Sequence, residues 1–108
     1  MSYNIKSISI FEKQVRRLSR KYPSLKKDLL SLIVSLKENP FQGTAIGNNC
    51  YKIRIAIASK GKGKSGGARV ITHLVIVEKL VYLLNIYDKS EKTDLLPGEL
   101  KLLLKEII

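Results

Sequence analysis

The spacing of apolar residues changes period twice along the chain. Phe11, Val15, Leu18 and Tyr22 recur every three or four positions, opposite Lys13, Arg16, Arg17, Arg20 and Lys21, which predicts an amphipathic helix. Ser9-Ile-Phe-Glu12 has the form of a capping box, so that helix is expected to start at Ser9. Pro23 interrupts it. Leu25, Leu29, Leu32, Ile33 and Leu36 then mark a second helix from Ser24 to Lys37, stopped by Glu38-Asn39-Pro40. From Tyr51 the period becomes two: Tyr51, Ile53, Ile55 and Ile57 alternate with Lys52, Arg54, Ala56 and Ala58, which predicts a strand with a basic outer face.

Arg69–Val77 and Leu80–Tyr87 are rich in Val, Ile, Leu and Tyr and are separated by Glu78-Lys79, the pattern of an antiparallel hairpin with buried strands. Tyr3–Ser7 reads as a short first strand. Thr93 or Asp94 is a candidate cap for a last helix carrying the apolar positions from Leu95 to Ile108, so apolar that it needs a groove to lie in. The predicted order is β-α-α-β-β-β-α: an α+β fold in which a helical hairpin and the last helix cover one face of a small antiparallel sheet.

Length and composition narrow this picture. A chain of 108 residues favours one domain, taken as residues 1–108, and 44% hydrophobic with 27% charged residues is the balance of a folded protein rather than a disordered one. No apolar run approaches the roughly 20 residues of a membrane span and no secretory leader is evident, so a cytoplasmic location and no membrane partner are expected. The single Cys50 cannot form an intramolecular disulfide, and with His73 as the only histidine there is no ligand set for a metal. Neither a metal nor another cofactor is expected.

Twenty Lys+Arg against nine Asp+Glu give a net charge of +11, which points to a polyanionic partner. Lys52, Arg54, Lys60, Lys62, Lys64 and Arg69 follow one another with no acidic residue between them. Lys52 and Arg54 lie two residues apart on a strand, so they project from one face with Cα atoms about 6.6–6.8 Å apart, near the spacing of adjacent phosphates. Arg69 joins them if the glycine-rich loop Ser59–Gly67 folds back, and the head group of Arg69 is expected to reach solvent. Lys60, Lys62 and Lys64 alternate with glycines, on a backbone too flexible for catalytic geometry, and suit electrostatic docking instead. A dinucleotide or P-loop reading of Gly61, Gly63 and Gly66 fails because a strand, not a helix, follows. His73 and Cys50 read as structural, Cys50 as an inert, half-buried thiol. Tyr87, ending its strand beside Asp88-Lys89, is a candidate for stacking on a base.

Together, the C-Y-K-I-R segment, the basic loop SKGKGKSGGARVI and the run IYDKSEKTDL resemble the RelE/ParE superfamily of bacterial type II toxins, in its RelE- and HigB-like branch. The resemblance implies a messenger-RNA endoribonuclease that acts on the ribosome, inhibits translation and is silenced by a cognate antitoxin. Lys52 and Arg54 match the paired basic positions of the RelE strand, Arg69 matches its next-strand arginine, and Lys89 matches a basic residue after the last strand. Ser90 stands where RelE has a further catalytic arginine, and no tyrosine follows at its stacking position, leaving Lys92 or Tyr87 to compensate.

The chemistry implied is attack of an RNA 2′-OH on the adjacent phosphate, which needs a base, cations on the phosphorane and an acid for the leaving oxygen. Neighbouring cations disfavour the charged form of a lysine, which suits Lys52 to the base role, while Arg54 and Arg69 suit phosphate clamping. Lys89 and Lys92 are candidate acids. The alternatives are a non-catalytic toxin that inhibits DNA gyrase or another protein, and a plain basic RNA-binding domain.

Overall fold

The computed structural model describes residues 2–107. Helix α1 spans Ser9–Lys21 and α2 spans Leu25–Glu38. The start at Ser9 is as expected but the capping box is not: Ile8 is the cap, and the Glu12 carboxylate instead accepts a 2.6 Å hydrogen bond from the Ser7 hydroxyl. Strands β1 (Asn4–Ser7), β2 (Thr44–Gly47), β3 (Cys50–Ile55), β4 (Ala68–Val75) and β5 (Leu80–Asp88) form one sheet in the order β1-β5-β4-β3-β2.

The α+β class and the helical hairpin agree with the sequence reading, while two features of the sheet correct it. It is mixed rather than antiparallel, because β1 runs parallel to β5, Asn4 opposite Leu80 and Ser7 opposite Leu83. It also gains β2, which pairs with the first half of β3. The strand expected from Tyr51 to Ala58 ends at Ile55 and gives way to a 3₁₀ turn over Ala58–Lys60.

Strand register decides which side chains share a face. Ile53, Val70 and Ile86 stand in one row across β3, β4 and β5, and with Phe11, Leu18, Leu25 and Leu29 of the hairpin they belong to one buried core. Where β5 runs past the end of β1, Gln14 of α1 accepts a 2.9 Å bond from the Ile86 N–H, so that exposed-edge donor is satisfied. The opposite face carries Arg54, Arg69 and Tyr87 in one row and Lys52, Ile71 and Asn85 in the next.

The last helix is a second correction. Helix α3 spans only Glu99–Leu104, because Pro97 and Gly98, the latter at φ +80°, hold the chain out of helical geometry before it. Leu95 and Leu96 therefore precede the helix, Leu103 is its one buried residue, and Ile108 lies outside the described residues. Nor do all the helices cover one face: the segment leading into α3 crosses the side opposite the hairpin, where Lys92 lies over the Tyr87 ring and Asp94 meets Lys52. No helix among the described residues is long and apolar enough to cross a membrane.

Candidate nucleic-acid interface

Alternation along β3 sends Lys52 and Arg54 out of the same face, and the antiparallel register puts Arg54 directly opposite Arg69, and Arg69 opposite Tyr87. Two guanidinium groups and a phenol thus form one row from β3 to β5. The loop does fold back, as the joining of Arg69 to Lys52 and Arg54 required. Gly67 passes so close to β3 that a Cβ there would stand 2.0 Å from the Ile55 carbonyl oxygen, a place no other residue can occupy.

Folding back has a consequence for Arg69 that corrects the expected solvent exposure. The residue is only 7% exposed. Its guanidinium donates to the carbonyl oxygens of Lys64 at 2.9 Å, Ala68 at 3.2 Å and Ser65 at 3.4 Å. Those carbonyls fix the orientation of the fork, and a guanidinium with five N–H donors has more to offer an anion than these three bonds consume. Arg54 is exposed and makes no hydrogen bond or ion pair among the described residues.

The remaining cations of this face are held by the segment after β5. Lys52 Nζ is 3.2 Å from Asp94 Oδ1, and the Asp94 carboxyl is held below its ordinary range by the Leu95 N–H first and Lys52 second. Lys89 Nζ donates to the Thr93 carbonyl at 3.1 Å. Lys92 reaches both Glu99 oxygens, at 2.7 and 2.8 Å, with its ammonium 5.8 Å from the Tyr87 ring centre. Burial pushes the Tyr87 hydroxyl pKa up, the Asp94 charge adds to this, and Arg69 opposes it; the Tyr87 oxygen has no hydrogen-bond partner among the described residues.

The loop lysines separate. Lys62 and Lys64 are exposed, as docking side chains must be. Lys60 is not at a mobile tip: its ammonium lies 2.6 Å from Asp88 Oδ1, with only 8% of its side chain exposed, and also donates to Ser90 Oγ at 3.1 Å. Asp88 is fully buried at the end of β5 and further accepts from Tyr22 Oη at 2.5 Å, Ser90 N at 2.9 Å and Ser90 Oγ at 2.8 Å. Burial alone raises a carboxyl pKa, but the bonds from Lys60, Tyr22 and Ser90 outweigh it and hold Asp88 well below the usual range. This network joins α1, the basic loop and β5. Sequence reading missed it; the signal was an acid closing an otherwise apolar strand.

Ser90 is spent on this carboxylate through its N–H and its hydroxyl. Cys50 is fully buried rather than half-buried, its pKa pushed up to about 11 by burial, and its sulfur lies 3.4 Å from His73 Nδ1 on the neighbouring strand.

A sequence model described as the RelE toxin of the RelE / RelB toxin-antitoxin system matches residues 8–107. The chain belongs to the RelE toxin family. It is a toxin of a toxin–antitoxin system, and its membership implies a cognate antitoxin. The fold is that of E. coli toxin RelE, solved in the free state as a mutant with two arginines replaced by alanine: the TM-score is 0.62 at 17% identity, over 98% of this chain and 94% of that one. In this RelE-family toxin the basic row Arg54–Arg69 lies on the sheet face away from the helical hairpin, and the segment 89–99 lies beside it.

Proposed function

We propose that residues 1–108 form one toxin domain that cleaves messenger RNA on the ribosome and so stops translation in the cytoplasm. The observation that carries this reading is the cross-strand pair Arg54–Arg69 with Lys52 one step along the same face. Two guanidinium groups in register, that of Arg69 held by loop carbonyls and that of Arg54 exposed, suit a phosphate that gains negative charge as the 2′-OH attacks, and preorganised cations are worth most where charge develops. Lys52 is the candidate base for the 2′ proton, a role for which Asp94, now 3.2 Å from its Nζ, must release it. Arg54 and Arg69 clamp the phosphorane, which collapses to a 2′,3′-cyclic phosphate and a 5′-OH. Lys89, at the end of β5, is the candidate donor to the leaving oxygen. Contrary to the sequence reading, Tyr87 is only 5% exposed beneath Lys92 and is not open to stack on a base, so the wall for the flanking nucleotide is the Lys92 ammonium. Lys62 and Lys64 supply docking charge toward ribosomal RNA, whereas Lys60, bound to Asp88, acts within the fold.

The test is direct. Purified toxin, ribosomes and a defined messenger are combined, and new 5′ ends are mapped. Discrete new ends that depend on ribosomes are the expected result, and no cleavage at a toxin concentration that arrests growth refutes the reading. A supercoiling assay run beside it measures the competing reading, inhibition of gyrase.

A further inference from the structure

On the β2 side of Arg54, away from Tyr87, lie two adjoining open clefts. One, of about 380 Å³, is bordered by Gln42, Thr44, Lys52, Arg54 and Lys64 and has no carboxylate among its lining residues. The second, of about 340 Å³, follows the edge of β3 toward Ser31, Ser35 and Asp28 of α2 and shares Gln42, Arg54 and Lys64 with the first. Either is in the size range of a small-ligand site. Asp28, whose Oδ2 accepts from Ser24 Oγ at 2.8 Å and from Ala58 N at 3.1 Å, brings negative charge to the second cleft and does not line the first. Gly43, at φ +90°, sets the wall: a Cβ there would stand 2.3 Å from the Lys52 carbonyl oxygen, so only glycine lets Gln42 and Thr44 lie against β3.

Gln42 is the fixed neutral group among these cations. Its Nε2 donates to Ser35 Oγ at 2.7 Å and to the Asn39 carbonyl at 2.9 Å. A main-chain carbonyl can only accept, so the amide nitrogen must face Asn39, and both amide protons are committed. What remains to offer a ligand is Oε1, an acceptor with no partner among the described residues. Cytosine N4 and adenine N6 are amino donors where uracil and guanine carry carbonyl oxygens, so an acceptor held there binds the first pair and repels the second.

We infer that this cleft is a nucleotide subsite next to the proposed cleavage site, in which Arg54 and Lys64 hold the phosphate and Gln42 Oε1 selects cytosine or adenine over uracil or guanine. The inference rests on the RNA-directed reading above but not on cleavage.

Its test is equilibrium binding of labelled tetracytidylate and tetrauridylate to the full chain, by fluorescence anisotropy at low salt. Cytosine and uracil match in size, so their ratio isolates the amino group. Cytosine is expected to bind about tenfold tighter, the scale of a lost good base contact. Gln42→Leu equalises the two. Gln42→Glu loses both amide donors that hold the side chain against Ser35 and Asn39, so it too is expected to lose the preference, whereas Ser35→Ala, which removes one anchor and keeps the Asn39 bond, is expected to narrow it. Equal affinities in the wild type, a preference that survives Gln42→Leu, or no binding of either oligonucleotide overturns the inference. Preserved base selection with uncut messenger on ribosomes refutes the nuclease reading alone.

Discussion

Lys60→Met probes the buried network at the end of β5 by keeping the length of the side chain and removing its charge. The ammonium lies 2.6 Å from Asp88 Oδ1, with 8% of the lysine side chain and none of the aspartate exposed. Deleting one partner of a buried pair costs about 3–5 kcal/mol because the other charge stays desolvated. Tyr22 and Ser90 continue to donate to Asp88 and Lys21 Nζ stays 3.6 Å from its Oδ2, so the lower end, about 3 kcal/mol, is expected. Against about 5–15 kcal/mol of total stability that is a large fraction, equivalent to a fall in Tm of roughly 12–24 °C. Urea melts followed by circular dichroism measure it, with Lys62→Met as the exposed control, expected within about 0.5 kcal/mol of wild type. The pH dependence adds a second constraint. The Asp88 pKa is lowered in the folded state, so its stabilisation is complete above the unfolded value of 3.8 and is lost as the pH falls toward the folded value. The gap between wild type and Lys60→Met should therefore close as the pH is lowered from about 5 to 2. A loss under about 1 kcal/mol at neutral pH, or a gap that ignores pH, refutes the assignment of Lys60 to Asp88.

Arg69→Ala is expected to lower single-turnover cleavage at saturating ribosome by about 10²-fold or more, the effect of removing a positioned transition-state charge, and an unchanged rate removes Arg69 from the site. Asp94→Asn frees Lys52 from its carboxylate and is expected to tighten RNA binding by up to about fivefold, as suits an exposed ion pair worth about 1 kcal/mol at most; weaker binding would contradict Asp94 as a competitor for that cation. Cys50, buried and with its pKa near 11, should react with a thiol reagent only at the pace of unfolding, and rapid labelling of the native protein at neutral pH would show the burial to be wrong.

The helices and the long strands were legible because their periodicity is strong and local: Phe11 to Tyr22 for α1, and Tyr51 to Ile55 for β3. Thr44–Gly47 was not legible as β2, since four mostly exposed residues carry no alternation and become a strand only by pairing with Lys52 and its neighbours. The last helix was drawn too long because Leu95 and Leu96 were counted for their apolarity, against the stop imposed by Pro97-Gly98. Of the basic face, the placement of Lys52 beside Arg54 follows from the period of a strand, and their meeting with Arg69 depended on the loop, which sequence could only pose as a condition. That Lys60 turns inward while Lys62 and Lys64 face solvent depends on Asp88 and Tyr22, distant in sequence, and no local pattern distinguishes the three lysines.

The parallel pairing of β1 with β5 carries a consequence for synthesis. Asn4 to Ser7 are made well before their partners, Leu80 to Leu83. The helical hairpin can form early, but its sheet-facing side has nothing to cover until β3, β4 and β5 have emerged, and long-range strand pairing is slow to close. Until those strands have emerged the nascent chain has an apolar hairpin exposed and no Arg54–Arg69 row, which exists only once β4 has paired with β3. The surface proposed to act on RNA therefore cannot form while the strands that carry it are still being translated, and the order of the strands along the chain sets when it appears.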